Sequence, residues 1–171
     1  MIVFDSAPQL FCDMDGVLTD FVGSAAKYLG FEWRSPQADN LTDHEKWDLL
    51  LKLAPPNFWE EMPWICGGQR LWLAIQRLDP IILTAPAKRQ TECMGQKITW
   101  CERNLQIEPW RVVIKPAIRK QDYAVIEGVR NILIDDGVLN CEQWAKRGGH
   151  AVLHKNVATT LAQLGRWGVL I

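Results

Sequence analysis

The sequence predicts an α/β fold with a central parallel sheet of five strands, helices on both faces, and a small helical cap inserted after the first strand. Three observations predict it. From residue 67 onwards short apolar runs alternate with amphipathic segments, the pattern of a doubly wound sheet with right-handed crossovers. About 45 residues separate the first strand from the second, although a parallel crossover needs only about a dozen. Polar side chains directly follow the apolar runs, as they do where parallel strands end at a binding site.

Composition narrows the class of protein. A chain of 171 residues, 48% hydrophobic and 23% charged, suits one globular domain. Its formal net charge of −1 gives no global field that would attract nucleic acid or an anionic membrane, so we expect neither as a partner.

Cysteine usage and hydropathy indicate a cytoplasmic protein. The cysteines are odd in number and contain no C-x-x-C pair, which argues against a disulfide framework and a zinc site. Residues 1–9 lack the basic flank and long apolar core of a signal peptide. No apolar run approaches the roughly 20 residues that cross a bilayer.

The first strand and the insertion carry clear local signals. The strand is predicted over Leu10–Met14 and ends in a loop with two carboxylates and a glycine. A helix is predicted over Val22–Leu29, and a second begins after Thr42, where Glu45 completes a capping box. Pro55-Pro56 ends that helix. The predicted division is therefore a core of residues 1–19 and 66–171 and a helical cap of residues 20–65.

The rest of the core alternates between helix and strand. A helix begins near Gly67, and the later elements follow from apolar runs and helical periodicity. The predicted strands are Pro80–Pro86, Trp110–Ile114, Asn131–Gly137 and His150–His154, and the predicted helices are Arg89–Leu105, Lys120–Ile126, Leu139–Arg147 and Val157–Trp167.

The strand ends predict the chemistry. In open α/β sheets ligands bind at the carboxyl ends of the strands. The first strand leaves Asp13 and Asp15 there, the second leaves Thr84, and the fourth leaves Asp135 and Asp136. A lysine, either Lys115 or Lys120, follows the third. Because a phosphate dianion repels a carboxylate by about 4 kcal/mol per charge pair at 4 Å and a dielectric of 20, phosphoryl transfer to a carboxylate needs such a lysine and a hard divalent cation.

The run Asp13-Met14-Asp15-Gly16-Val17-Leu18-Thr19-Asp20 resembles the first motif of the haloacid dehalogenase (HAD) superfamily, and the later strand ends match its other three motifs in order. The resemblance implies a HAD-like Rossmannoid three-layer fold. It also implies that Asp13 is a nucleophile, that Asp15 is a general acid/base, and that Thr84 and a lysine bind the phosphoryl oxygens. Asp15 favours a phosphatase, because dehalogenases of the superfamily lack that acid.

The resemblance also suggests the lysine and the metal ligands. Lys120 is preferred over Lys115 because Lys120-Gln121-Asp122-Tyr123-Ala124 matches the K-x-x-Y-A pattern of related sequences. The implied cofactor is Mg²⁺, held by Asp13, the backbone carbonyl of Asp15, and Asp136. Asp135 is assigned a supporting role, and the reverse assignment of the acidic pair stays open.

Within the superfamily the chain is similar to the 5′(3′)-deoxyribonucleotidases, which implies hydrolysis of nucleoside monophosphates below an aromatic cap. The predicted substrate-binding residues are Phe21, Thr84, Ala85 and Trp59, with Trp59 as either a cap-lining or a cap-core residue. Trp33 and Trp47 are further candidates for contact with a base. The segments that carry the similarity are residues 13–21, 57–60, 83–86, 131–136 and 144–151.

Other functions remain open on the sequence. The same chemistry could act on a sugar phosphate or on a nucleic-acid 3′-phosphate end. A non-catalytic domain or a receiver-like phosphoacceptor is a further alternative, although a receiver would need neither a cap nor Asp15. A homodimer is also left open.

Overall fold

The computed structural model describes residues 7–33, 35–87 and 90–169. In these ranges five strands form one parallel sheet in the order β3-β2-β1-β6-β7, and two more form a separate antiparallel hairpin. This is the predicted α/β architecture. The strands are β1 Leu10–Cys12, β2 Ile81–Thr84, β3 Val112–Ile114, β4 Val125–Ile126, β5 Val129–Arg130, β6 Ile132–Asp135 and β7 His150–Leu153.

Six α-helices lie within the described residues and connect these strands. Their bounds are α1 Phe21–Leu29, α2 Asp43–Leu53, α3 Gly68–Ile75, α4 Glu92–Leu105, α5 Val138–Lys146 and α6 Val157–Arg166. Short 3₁₀ helices lie over Ala38–Asn40, Gln76–Leu78, Pro109–Arg111 and Ala117–Tyr123. None of the helices within the described ranges is long and apolar enough to cross a membrane.

The core lies on both faces of the sheet because successive strand side chains point in opposite directions. On one face Cys12, Ile82 and Ile134 pack with α3, α4 and α6. On the other face Phe11, Leu83 and Leu133 pack against Trp144 of α5. The result is three layers, with β1 at the centre between β2 and β6.

The segment predicted as a cap contains α1 and α2, which pack on each other. Thr42 caps α2 with a complete capping box, as expected from its sequence. The two ends of the segment run side by side, since Asp20 N–H donates to Pro63 O (3.0 Å) and Ile65 N–H donates to Leu18 O (2.9 Å). Gln96 of α4 also accepts from Trp59 N–H (3.1 Å) and donates to Pro56 O (2.6 Å).

The predicted helix Lys120–Ile126 is wrong. The structure has a 3₁₀ helix that ends at Tyr123, followed by the hairpin of β4 and β5. Glu127 and Gly128 form its two-residue turn, both with positive φ (51° and 83°), the conformation that hairpin turns favour. Because Val125 and Ile126 are β-branched, they suit the strand that precedes this turn better than a helix.

Candidate active site

Three adjacent strands bring the predicted polar residues to one edge of the sheet. Strand β1 ends one residue before Asp13, whose N–H still donates to Ile134 O (2.8 Å). The chain then turns back, because Leu18 N–H donates to Met14 O (2.8 Å). Thr84 is the last residue of β2 and Asp135 the last of β6, the two neighbours of β1. The parallel order of the sheet therefore places these side chains together.

A buried ion-pair cluster lies at the centre of this edge. Lys120 Nζ lies 2.7 Å from Asp13 Oδ2 and 2.7 Å from Asp135 Oδ2. Asp13 also accepts Met14 N–H on Oδ1 (2.8 Å), so both of its carboxylate oxygens are held. The side chains of Asp13, Lys120 and Asp135 are 9%, 2% and 0% exposed. Lys115, the alternative lysine, is exposed and lines a surface pocket with Arg119 and Tyr123.

Burial and like charges act on the pKa values of this cluster. The pKa of Asp13 is raised to about 8, chiefly by burial; Lys120 lowers it, and the charges of Asp135 and Asp15 add to the rise. For Lys120 burial disfavours the charge, but Asp13 and Asp135 outweigh it and raise its pKa. A cation beside the carboxylates would relieve their mutual repulsion.

The carboxylates of Asp13, Asp135 and Asp136 have oxygens within 4.8 Å of one another, close enough for one metal ion. The two members of the acidic pair differ in their partners. Asp135 Oδ1 accepts from Gly137 N–H (2.8 Å) and Asn140 (3.0 Å), and Oδ2 accepts from Lys120 (2.7 Å) and Asn140 (3.1 Å). Because a carboxylate has about four lone-pair sites, Asp135 is already satisfied. Asp136 is partly exposed and abuts Gly16.

Asp15 lies beside this cluster but points to a different set of groups. Its Oδ1 accepts from Thr19 Oγ1 (3.1 Å) and its Oδ2 lies 2.5 Å from Lys97 Nζ. Lys97 also donates to Thr84 Oγ1 (3.1 Å) and to Ala85 O (2.8 Å). The structure thus joins Asp15, Thr84 and Ala85 through one lysine.

Sequence reasoning missed Lys97, although the sequence contains a signal for it. Helix α4 buries Cys93, Lys97, Trp100 and Cys101 on one face. A lysine four residues from a buried cysteine on each side occupies a core position of an amphipathic helix. Since buried lysines are rarely left unpaired, that position predicts an acidic partner. Asn140, which orients Asp135, was also missed.

The predicted aromatic residues form one cluster. The rings of Phe21 and Trp59 stack with centroids 5.4 Å apart and planes 4° apart. The ring centroids of Trp33 and Trp47 lie 5.2 Å and 5.6 Å from that of Phe21. Trp59 is 1% exposed, its indole N–H donates to Gln90, and Lys97 Nζ lies 4.8 Å from its ring centroid. Phe21, Trp33 and Trp47 are partly exposed, so a ligand can reach them more directly than the buried Trp59.

Two solved structures are similar to this chain in fold. A hydrolase from Pseudomonas syringae matches with a TM-score of 0.54 and 11% identity, over 94% of this chain and 99% of its own. A HAD family hydrolase from Deinococcus radiodurans R1, which holds bound phosphate and sodium, matches with a TM-score of 0.51 and 16% identity, over 96% of this chain and 99% of its own. The fold is HAD-like. No protein-family model matches the sequence, and no curated protein matches it either.

The HAD-like Rossmannoid fold agrees with the fold class predicted from the sequence. At 11% and 16% identity this likeness concerns the fold alone, and the chemistry depends on the side chains of the site. Four acids and a hydroxyl lie at the carboxyl ends of β1, β2 and β6, and two buried lysines, one from α4 and one from the 3₁₀ helix Ala117–Tyr123, contact them. That arrangement can hold an anion against a carboxylate.

Proposed function

We propose that this chain is a phosphatase that hydrolyses a small phosphate monoester through a covalent intermediate on Asp13. The observation that carries the proposal is the contact of Lys120 with both Asp13 and Asp135 at 2.7 Å. It places a fixed positive charge beside a carboxylate whose two oxygens are oriented, which an attack on an anionic phosphoryl group requires. Within the described residues two N–H groups of Lys120 bind acids, which leaves the third for a phosphoryl oxygen.

The reaction has two steps. A carboxylate oxygen of Asp13 attacks phosphorus, the bond from phosphorus to the ester oxygen breaks, and protonated Asp15 gives its proton to the leaving alkoxide. Water then attacks the phosphoryl group on Asp13 while Asp15 takes up a proton. Inorganic phosphate leaves, and both acids return to their starting states. The Thr84 hydroxyl accepts from Lys97, so its own proton is free to point at a phosphoryl oxygen.

The donor set also suits a hard divalent cation. Three carboxylates with oxygens within 4.8 Å of one another are the ligands that Mg²⁺ prefers. We assign the cation to Asp13, the backbone carbonyl of Asp15, and Asp136, with Asp135 as the supporting residue because its oxygens are already satisfied. When bound, Mg²⁺ would offset the negative charge of the phosphoryl group and of its nucleophile.

For the substrate we propose a nucleoside monophosphate. The aromatic cluster of Phe21, Trp33, Trp47 and Trp59 supports it, because an aromatic face that stacks on a base contributes about 1–3 kcal/mol. A second candidate, a sugar phosphate, has one observation in its favour. Phe21 and Trp59 cover one face of each other, and Lys97 lies over the Trp59 ring, so these ring faces are not open to stack on a base.

The test is phosphate release from nucleoside 5′- and 3′-monophosphates, sugar phosphates and p-nitrophenyl phosphate, with Mg²⁺ and with EDTA. Asp13→Asn is the inactive variant, and Asp39→Asn, at an exposed acid of the 3₁₀ helix Ala38–Asn40, is its matched control. We expect metal-dependent turnover that only Asp13→Asn abolishes. Turnover of sugar phosphates alone would keep the chemistry and exclude the nucleotide. No turnover, or a phosphoryl group that persists on Asp13, would favour a binding or receiver domain.

A further inference from the structure

Lys97 is a buried cation to which the two-step mechanism assigns no direct contact with the substrate. Its side chain is 1% exposed, and it lies on the buried face of α4 among Cys93, Trp100 and Cys101. Burying an ammonium group is unfavourable unless it is paired and hydrogen-bonded. The position is therefore a costly one for a residue that only fills space.

The three N–H groups of Lys97 have three protein acceptors. They are Asp15 Oδ2 at 2.5 Å, Ala85 O at 2.8 Å and Thr84 Oγ1 at 3.1 Å. An ammonium group has three donors, so Lys97 keeps none for a phosphoryl oxygen. This separates it from Lys120, which makes two such bonds to the residues that the structure describes.

Two acceptors of Lys97 fix its ammonium group to the sheet, and the third is the carboxylate of Asp15. Thr84 Oγ1 and Ala85 O belong to the end of β2 and the residue that follows it, so they fix the ammonium against the sheet. Trp59, whose ring centroid lies 4.8 Å from Nζ, covers it from the predicted cap. The remaining N–H is directed at Asp15, whose other oxygen accepts from Thr19 Oγ1.

We propose that Lys97 is a positioning residue that holds the carboxylate of Asp15 in place for proton transfer, and that it does not bind the phosphoryl group. The inference rests on the proposed function, because it concerns the acid/base of that reaction. Lys97 links the end of β2 to the loop after β1, so the position of Asp15 is set by the core helix α4 and by Trp59 above it. A proton donor displaced by about 1 Å can lose about 10²-fold in rate.

The experiment compares wild type, Lys97→Met, Asp15→Asn and the double variant on two substrates. An alkyl phosphate needs a proton on its leaving alkoxide, whereas p-nitrophenolate leaves without one. For Lys97→Met we expect a fall in kcat on the alkyl phosphate of about 10²-fold. With p-nitrophenyl phosphate we expect a retained burst of p-nitrophenolate, because the attack by Asp13 persists while hydrolysis of the intermediate slows. The double variant should be no slower than Asp15→Asn alone, since Lys97 acts through Asp15.

Control variants separate this role from a purely structural one. Lys27→Met removes an exposed lysine of α1 and should not change the turnover of either substrate. Lys97→Arg keeps the charge and should recover part of the kcat on the alkyl phosphate. Circular dichroism and the unfolding temperature are measured first, and if Lys97→Met does not fold, the cycle is run with Lys97→Gln.

Three results would overturn the inference. If the two single changes multiply in the double variant and KM rises with the loss of the burst, Lys97 binds the phosphoryl group. If the burst with p-nitrophenyl phosphate falls in parallel with kcat on the alkyl phosphate and with the unfolding temperature, the role is structural. If wild type turns over neither substrate, the proposed function fails and the inference fails with it. If wild type is active but the effects of the two single changes multiply, only the inference is contradicted.

Discussion

The backbone of Gly16 lies directly against the carboxylate of Asp136: a Cβ on Gly16 would lie 2.6 Å from Asp136 Cγ and 2.6 Å from Oδ2. Gly16 also has a φ of 79°, in the left-handed region that favours glycine. Two independent constraints thus select glycine after the Asp13–Asp15 pair. The tighter one concerns Asp136, a proposed ligand of the cation, and so connects the loop after β1 to the loop after β6.

Gly16→Ala should abolish activity at a modest cost in stability. Gly30 is a matched control, because its φ is 76° and nothing lies within 4 Å of a Cβ built there. Both variants should lose about 1 kcal/mol of unfolding free energy from the left-handed backbone. Only Gly16→Ala should also lose Mg²⁺-dependent turnover, because its methyl group displaces Asp136. Urea unfolding and phosphate release measure the two effects, and equal activity of both variants would contradict the expectation.

Asp135→Asn should lower the stability of the protein, whereas Asp136→Asn should remove its response to Mg²⁺. Asp135 accepts from Lys120, Asn140 and Gly137, so its loss leaves a buried lysine with one acid fewer. Removing one partner of a buried ion pair costs about 3–5 kcal/mol, and we expect the unfolding temperature to fall with or without metal. Asp136→Asn should instead lose the rise in unfolding temperature that Mg²⁺ gives wild type. Thermal unfolding with Mg²⁺ and with EDTA measures this, and a full Mg²⁺ response in Asp136→Asn would contradict it.

The strand ends were the part of the molecule most accessible to prediction. Parallel strands deliver their last residues to one edge, so Asp13, Thr84 and Asp135 meet without any knowledge of side-chain contacts. The hairpin of β4 and β5 could not be recognised by the same reasoning. Each of its strands has two residues, too few to show the alternating pattern of a strand. The helical pattern that begins at Lys120 also extends across the first of them.

The rest of the site depends on which atoms bind which. Lys97 was missed because its role follows from three acceptors, of which Ala85 O is a backbone atom that no sequence pattern reveals. The saturation of Asp135 depends on Asn140, five residues along in α5. The burial of Trp59 follows from its contacts with Phe21 and α4, which bring together residues distant in the chain.

Thr42→Ala should destabilise α2, the helix that carries Trp47. Thr42 Oγ1 accepts from Glu45 N–H (3.2 Å), and Thr42 N–H donates to Glu45 Oε2 (2.8 Å). Loss of such a cap costs about 1 kcal/mol of unfolding free energy. If Trp47 helps to bind a nucleoside monophosphate, KM should also rise. Urea unfolding and steady-state kinetics measure both effects, and Thr99→Val at a half-buried position of α4 serves as control.

The capping box also predicts a dependence on pH. The hydrogen bonds from the backbone and side chain of Thr42 lower the pKa of Glu45 below its usual 4.5. Because the folded pKa is the lower one, this contribution is complete above the unfolded value and is lost as the pH falls through the folded value. Glu45→Gln should therefore be less stable than wild type at pH 7, and the difference should shrink below pH 4. A difference that grows on acidification would contradict the assignment.

Cysteine reactivity should report directly on the site. Cys66 is exposed, whereas Cys12, Cys93, Cys101 and Cys141 are buried. Burial raises the pKa of all four, to about 12 for Cys101 and Cys141, so little thiolate forms at pH 8. One thiol should react rapidly with a disulfide reagent, and Cys66→Ser should remove that phase. Gly16→Ala should add a second, slower phase if it loosens the loops around Cys12 and Cys141, whereas Gly30→Ala should not. Two fast thiols in the wild-type protein would contradict this burial pattern.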